Sequence, residues 1–233
     1  MIQIHKTRHG ADTSIATHRH QQAYVALVLS GGYLESGPDG VWQCSAGELV
    51  VHPPYHLHAN TIGSGGARVL NFLLPFHIQA KLDHSSYGVF AVPDPGKLER
   101  ESRRDPFAAL ARAAEVKEQK PAQASSLWLD GLAATLAQAP ECPVAALAHD
   151  SRCTAEHLSR AFRERFGIAP AAFRREHRLR RALRLLVESR RDLCDIAADC
   201  GFADQPHMTR ELKQMTGLTP LRLQQGLRQP RIS

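Results

Sequence analysis

Five of the histidines in the first 60 residues fall into two short stretches and could share one site. The stretch THRH carries His18 and His20, and HPPYHLHAN carries His52, His56 and His58. Residues two apart on a strand lie on the same face, so His18 pairs with His20 and His56 pairs with His58. Sites made of imidazoles suit Zn²⁺ or Ni²⁺, which we rank above Fe²⁺ or Cu²⁺. The spacing therefore predicts a site for a divalent transition metal, used either for chemistry or for sensing.

A second interpretation needs no metal, because the same histidines can line a pocket for an organic ligand or hydrogen-bond within a core. Either site needs strands to aim the rings inward. Residues 15–90 supply short apolar and β-branched runs, and GPDG, IGSGGA and SGG stand between or within them as predicted turns. Short strands with glycine-rich turns are typical of a β-barrel or sandwich.

Charge divides the chain into two different halves. Residues 143–233 contain 17 Lys and Arg against 10 Asp and Glu, whereas nine of the 13 histidines precede residue 85. A basic half suggests a polyanionic partner for that half. No signal peptide and no membrane-spanning run is evident, so we expect a cytoplasmic protein without a membrane partner. The five cysteines form no C-x-x-C pair, and we expect them to be small buried apolar residues rather than disulfides.

The pattern becomes helical after residue 105. Alanine-rich stretches with apolar residues three and four apart predict helices over 106–119 and 122–138, which could pair two copies of the chain in a homodimer. An internal repeat follows, because residues 144–170 and 193–220 share the positions of their leucines, arginines, glycines and prolines.

Each copy of the repeat predicts a helix, a tight turn and a second helix. Thr154 and Asp204 are good N-caps for the second helices. Apolar residues of these helices would face the core: Leu158, Phe162, Phe166, Met208, Leu212 and Met215. The opposite faces are basic and polar, as a helix in the DNA major groove requires. Leu179, Leu183 and Leu186 form the apolar stripe of one continuous helix that would connect the copies.

The stretches LSRAFRERFGIAP, RLRRALRLL and DIAADCGFADQPHMTRELKQMTGLTP resemble the DNA-binding domain of AraC/XylS-type transcription regulators. The resemblance covers about residues 140–225 and implies two helix-turn-helix modules that bind double-stranded DNA. It implies base contacts by Glu156, Ser159, Arg160, Gln205, His207 and Arg210, and phosphate contacts by Thr154, Arg163, Thr209 and Lys213. Arg152 stands where the first turn would favour glycine, so we expect that turn to be strained or shaped differently.

Members of that family often carry an N-terminal cupin-like barrel, and HRHQQAYVALVLSGG and GELVVHPPYHLHAN resemble its two motifs. The resemblance places His18, His20 and His58 at the three histidine ligand positions. The usual glutamate position falls near Tyr24 or Val25, so the carboxylate is missing. His56 is the expected fourth ligand, with His52 as its substitute.

We therefore predict an α+β chain in which a cupin-like β-barrel precedes an all-α double helix-turn-helix domain. The predicted boundaries are 1–95 for the sensor domain, 96–139 for a linker and helical segment, and 140–233 for the DNA-binding domain. The expected function is sequence-specific transcription regulation under control of a small-molecule or metal effector. Two alternatives remain open: a cupin-type metalloenzyme fused to a DNA-binding domain, and a constitutive regulator with an inert barrel.

Overall fold

The computed structural model describes residues 2–75, 87–113, 119–120, 122, 127–139, 142–189 and 191–226. Within these ranges the chain forms two compact units, one from the described residues up to 122 and one from residue 127 onward. Among the described helices, none is both long enough and apolar enough to cross a membrane. The predicted helices over 106–119 and 122–138 extend into residues 114–118 and 123–126, which lie outside the described ranges.

The first unit contains a sheet of seven antiparallel strands in its described part. The strands are β1 (Gln3–His9), β2 (Ser14–Arg19), β3 (Tyr24–Gly37), β4 (Gly40–Ser45), β5 (Glu48–His52), β6 (Leu57–Leu73) and β7 (Gly88–Ala91). The long strands β3 and β6 form the centre of the sheet, since β3 pairs with β4, β5 and β6, while β6 also pairs with β1 and β2. β7 pairs with β5.

Two of the predicted turns are bends inside these long strands. β3 passes through SGG and β6 through IGSGGA without ending, and the register between them shifts on either side of Gly31. Gly31 and Gly66 have φ of 71° and 67°, and a Cβ on Gly31 would lie 1.9 Å from the Gly66 carbonyl oxygen. The prediction of turns was wrong because glycine here permits bulges and close strand approach instead. GPDG is a turn as predicted, between Gly37 and Gly40.

Successive residues of β3 alternate between two cores on opposite faces of the sheet. Ala26 belongs to the core that also contains Trp42. Val25 belongs to the opposite core. Two helices follow the strands, α1 (Pro95–Ser102) and α2 (Pro106–Ala113), and they contribute Leu98 and Ala109 to this opposite core. They therefore form part of the first unit, although the predicted boundary after residue 95 assigned them to a linker.

The second unit is helical throughout its described elements. Its helices are α3 (Leu127–Gln138), α4 (Val144–Asp150), α5 (Ala155–Phe166), α6 (Pro170–Glu188), α7 (Leu193–Asp199), α8 (Gln205–Thr216) and α9 (Pro220–Gly226). Asp130 of α3 accepts hydrogen bonds of 3.1 and 3.2 Å from the Arg165 guanidinium of α5, and α3 also contacts α6. The predicted boundary at 139/140 therefore cuts through this unit.

The two copies of the repeat fold into equivalent modules, α4 with α5 and α7 with α8. In each turn a backbone amide returns to the carbonyl of a buried alanine, Cys153 to Ala148 at 3.0 Å and Phe202 to Ala197 at 2.9 Å. The left-handed position between them is Gly201 in the second module, with φ of 72°. The first module has Arg152 there, with φ of 54°. Arg152 carries a Cβ and yet adopts the left-handed conformation, so the expected strain is present at this turn.

We expect Gly201→Ala to destabilise the second module by about 1–2 kcal/mol, because a Cβ is unfavourable in the left-handed region. Arg152→Gly relieves the same strain, but glycine has more backbone entropy to lose on folding, so the gain stays below about 1 kcal/mol. Urea unfolding followed by helical circular dichroism measures both. Gly131→Ala on the exposed face of α3 is the control and should stabilise by about 1 kcal/mol. A Gly201→Ala variant as stable as the wild type contradicts the assignment.

Most predicted core positions of the second unit are buried. Leu179, Leu183 and Leu186 lie along the single helix α6, as predicted. Met215 is only half-buried, and the last buried position of α8 is instead Thr216, whose hydroxyl donates to the Leu212 carbonyl at 2.8 Å. All five cysteines are free thiols; Cys44 and Cys200 are buried, Cys142 and Cys153 are half-buried and Cys194 is exposed. The interpretation as buried apolar residues therefore holds for Cys44 and Cys200 only.

Candidate nucleic-acid interface and histidine cavity

The second helix of each module is held by a cap at each end. The Thr154 hydroxyl accepts from the His157 amide at 3.1 Å, and the Asp204 carboxylate accepts from the His207 amide at 2.6 Å. Each helix ends at a left-handed glycine, Gly167 or Gly217. Both predicted N-caps are confirmed, and they fix where the outer face of each helix begins.

The outer faces of α5 and α8 carry exposed cations at equivalent positions. Arg160 and Arg163 are exposed on α5, and Arg210 and Lys213 on α8. The inner faces are anchored by fully buried side chains, such as Phe162 and Leu212. Because helical faces alternate with a period of 3.6 residues, burial of one face leaves the cations on the other.

Neighbouring groups contact two side chains of the outer faces, Arg160 and His207. An Arg160 guanidinium nitrogen lies 3.3 Å from His157 Nδ1, and the His157 ring stacks on Trp128 of α3 with centroids 6.3 Å apart. In the second module the Ala203 amide donates to His207 Nδ1 at 3.4 Å, so the His207 proton lies on Nε2. Sequence reasoning missed Trp128 and His157, because their contacts cross between helices far apart in the chain.

Several arginines of α6 hold the second module in place. Arg175 pairs with Glu211 and donates to Gln214 at 2.7 Å. Arg178 donates to the Gly201 carbonyl at 3.0 Å and lies over the Phe202 ring at 5.2 Å. Part of the basic excess is therefore structural, and it does not all measure affinity for a polyanion.

The first unit encloses a cavity of about 400 Å³ between β1, β2, β3 and β6. That volume is within the range of small-molecule sites. Polar and apolar side chains both contribute to the lining. The lining includes His5, His9, His18, His20, His58, Tyr24, Glu35, Asn60, Asn71, Ile15, Ile62 and Val69.

The predicted ligand histidines fall into two groups that share His58. His18, His20 and His58 form one group in the cavity, with ring nitrogens of His18 and His20 3.0 Å apart. His58, His56, His52 and the carboxylate of Glu35 form the other, and all four residues are buried. The structure brings all five predicted histidines together, but it divides them between two sites.

A carboxylate is present after all. Glu35 lies on β3 with 2% of its surface exposed, and its oxygens are 3.0 and 3.1 Å from His52 Nε2. The position that the resemblance assigns to glutamate, near Tyr24 or Val25, holds no carboxylate, and sequence reasoning missed Glu35 further along the same strand. Glu35 pairs with Asn60 in the register of β3 and β6, two residues from His58, so it lies beside the histidines.

Burial changes the pKa of three groups in these clusters. Desolvation lowers the pKa of His58 to about 2, and desolvation followed by the charge of His18 lowers the pKa of His20 to about 4. Burial alone would raise the pKa of Glu35, but the charge and hydrogen bond of His52 hold it well below its usual range. Glu35 is therefore an ionised carboxylate beside imidazole nitrogens, and both groups are ligands of divalent metal ions.

Comparison with known proteins bears on the second unit. The family described as "Helix-turn-helix domain" matches residues 133–226. HTH-type transcriptional activator RhaR of Salmonella typhimurium is 30% identical over 140 aligned residues, which cover 53% of this chain and 50% of RhaR. The RhaR of Salmonella arizonae matches equally well. The second unit therefore contains a helix-turn-helix domain.

The chain spans about half the length of these RhaR relatives. An AraC-type regulator structure from Chromobacterium violaceum is 24% identical over 45% of this chain and 95% of its own, with a TM-score of 0.41. ToxT from Vibrio cholerae is 10% identical over 98% of this chain and 99% of its own, with a TM-score of 0.45. These likenesses are too distant to carry a functional conclusion.

Within this helix-turn-helix domain, the predicted base-contact residues lie on the outer faces. Glu156, Arg160 and Arg210 are exposed, whereas Ser159, Gln205 and His207 are half-buried. The predicted phosphate contacts Thr154, Arg163 and Lys213 are also exposed, but the Thr209 hydroxyl is covered by neighbouring atoms. The covered hydroxyl does not favour a phosphate contact by Thr209.

Proposed function

We propose that this chain is a sequence-specific DNA-binding transcription regulator. The observation that carries the proposal is the equivalence of the two modules, each presenting an exposed arginine, Arg160 or Arg210, on a helix capped and anchored in the same way. Repeated helices with basic outer faces match successive major-groove windows on one side of double-stranded DNA. A transcription regulator must reach the chromosome, so we include a cytoplasmic location in the proposal.

We assign base contacts to Glu156, Ser159, Arg160, Gln205, His207 and Arg210. Arg160 and Arg210 suit guanine, Gln205 suits adenine, and Glu156 suits the amino group of cytosine. Thr154, Arg163 and Lys213 are assigned to phosphate, and we give Thr209 the lowest weight because its hydroxyl is covered.

The first unit is proposed to regulate DNA binding by taking an effector into its cavity. A lining of both polar and apolar side chains and a volume of about 400 Å³ suit a small organic molecule with hydrogen-bonding groups. His18, His20 and His58 lie where they would bind such a molecule or a divalent metal. The effector can shift regulation only by its difference in affinity between two arrangements of the chain.

We also propose a homodimer formed by helices of the 96–139 segment. Phe107 on α2 supports it, because this apolar side chain is 60% exposed in the single chain. Sedimentation of the full chain with and without DNA determines the stoichiometry.

The DNA proposal is tested by selecting sites from a random duplex pool with the full chain and measuring affinity for the selected site at several salt concentrations. We expect a recurrent site and an affinity that falls steeply with salt. Lys213→Ala should weaken binding to all sequences and make the log–log salt slope shallower by about 1, because one phosphate contact is lost. Lys97→Ala, exposed on α1 of the first unit, is the matched control. Failure to enrich any sequence contradicts the proposal.

A further inference from the structure

The group formed by Glu35, His52, His56 and His58 is more completely buried than the three histidines of the cavity. Its four residues are between 1% and 2% exposed, and one potential ligand atom from each lies within 4.8 Å of those of the others. In the cavity group His20 is exposed and His18 half-buried. Four buried ligands that converge without an opening to solvent are characteristic of a structural metal site.

Second partners orient the buried ligands. His56 Nε2 lies 2.8 Å from the Asp39 carboxylate, so its Nδ1 is turned toward His58 Nδ1, 3.2 Å away. The Asn60 amide donates to Glu35 Oε2 at 3.0 Å. A carboxylate behind a ligating histidine and a donor behind a ligating carboxylate are the usual supports of metal ligands, since they fix ring orientation and tautomer.

The charges of this group suit a divalent cation. Glu35 and Asp39 supply two carboxylates, one in contact with His52 and the other with His56. A buried charge is costly unless it is paired or binds a metal. His52 also has a buried Nδ1 atom with no hydrogen-bond partner among the described residues. One ion with charge +2 would balance both carboxylates and give the histidine lone pairs a partner.

The nitrogens of His58 separate this group from the cavity group. Its Nδ1 faces His56, while its Nε2 lies 3.3 Å from the hydroxyl of Tyr24, a residue of the cavity lining. A metal in the buried group therefore uses Nδ1, and a metal held with His18 and His20 uses Nε2. The two sites can be distinguished by which nitrogen of one ring is bound.

We propose that Glu35, His52, His56 and His58 bind one divalent transition metal, Zn²⁺ by its preference for four nitrogen and oxygen ligands, as a resident ion distinct from any ligand held by His18 and His20. The ion would join β3, β5 and β6 at the wall of the cavity, which Glu35 and His58 also line. His18 and His20 would then remain available to the effector. This inference does not rest on DNA binding, since metal content and site selection are measured independently and either can fail alone.

The test is a titration of the metal-free full chain with Zn²⁺, together with the absorption spectrum of its Co²⁺ form. We expect one ion per chain, a tetrahedral cobalt spectrum, and Asp39→Asn to weaken Zn²⁺ affinity by about 10–100-fold through loss of ligand orientation. Glu35→Gln should abolish stoichiometric binding. His20→Ala is the control and should leave affinity and the cobalt spectrum unchanged. Loss of the ion in His20→Ala with retention in Asp39→Asn and Glu35→Gln would assign the metal to the cavity group and overturn the proposal, as would the absence of any tight binding.

A second measurement needs no variant, and so avoids a Glu35→Gln chain that fails to fold. In the Zn²⁺-loaded wild type labelled with ¹⁵N histidine, ring-nitrogen chemical shifts identify the bound atom. We expect His58 to be bound at Nδ1, with His52 and His56 also shifted and His18 and His20 unchanged. Binding at His58 Nε2 contradicts the buried site.

Discussion

Arg160→Ala and Arg210→Ala should each reduce affinity for the selected DNA site by about 1–3 kcal/mol, a loss of roughly 5- to 150-fold. Each arginine is exposed on the outer face of a capped helix, where a guanidinium can reach two acceptors of guanine. The loss should be confined to the selected site, while affinity for unrelated duplex changes far less. Arg160→Lys tests the geometry, because lysine keeps the charge but cannot form the bidentate contact.

Arg103→Ala is the matched control for these variants. Its side chain is 70% exposed at the residue that follows α1 in the first unit, so the variant removes the same charge away from the proposed interface. If Arg160→Ala and Arg210→Ala weaken specific and unrelated DNA equally, both residues contact phosphate and the base assignment is wrong. If neither variant differs from Arg103→Ala, the faces of α5 and α8 do not read DNA.

Phe162→Ala should destabilise the first module by about 3–5 kcal/mol, a large fraction of the stability of a typical domain. Phe162 is completely buried, and its ring lies 4.5 Å from that of Phe166 and 5.2 Å from that of Phe173 on α6. Truncation leaves a cavity among rings on two helices, so the surrounding side chains cannot close it by a local shift. Loss of DNA binding should follow because α5 no longer has a fixed face.

Hydrogen exchange of the full chain measures this effect unit by unit, since two compact units need not unfold in one transition. Amides of α5 and α6 should lose protection in Phe162→Ala while those of β3 and β6 keep theirs. Leu221→Ala on α9 is the control, because that leucine is 58% exposed and its loss should cost less than about 0.5 kcal/mol. Unchanged protection in α5 contradicts the proposed core.

The helical unit was predictable because its signals are local. Apolar residues three and four apart located Leu158 and Phe162, cap chemistry located Thr154 and Asp204, and both outcomes agree with the structure. Each of these signals acts within a few residues along one helix. The unit boundary was missed because the Asp130–Arg165 pair and the packing of α3 connect segments that no local pattern relates.

The sheet was less predictable at its glycines. A run such as SGG has the same local meaning in a turn and in a bulge, and only the partner strand distinguishes them. Gly31 is a bulge because Gly66 of β6 approaches it too closely for a Cβ, and that approach depends on pairing across more than 30 residues.

The two-unit organisation, the helix-turn-helix modules and the grouping of five histidines could all be predicted from the sequence, because repeat, helical period and residue spacing are visible along the chain. Contacts between distant segments were needed to show that Glu35 joins His52, that His56 turns its Nδ1 to His58, and that Trp128 supports His157 beside Arg160. These contacts are set by how long strands bend and how helices pack. Their geometry arises from the balance of many distant contacts, which the order of residues along one segment does not encode.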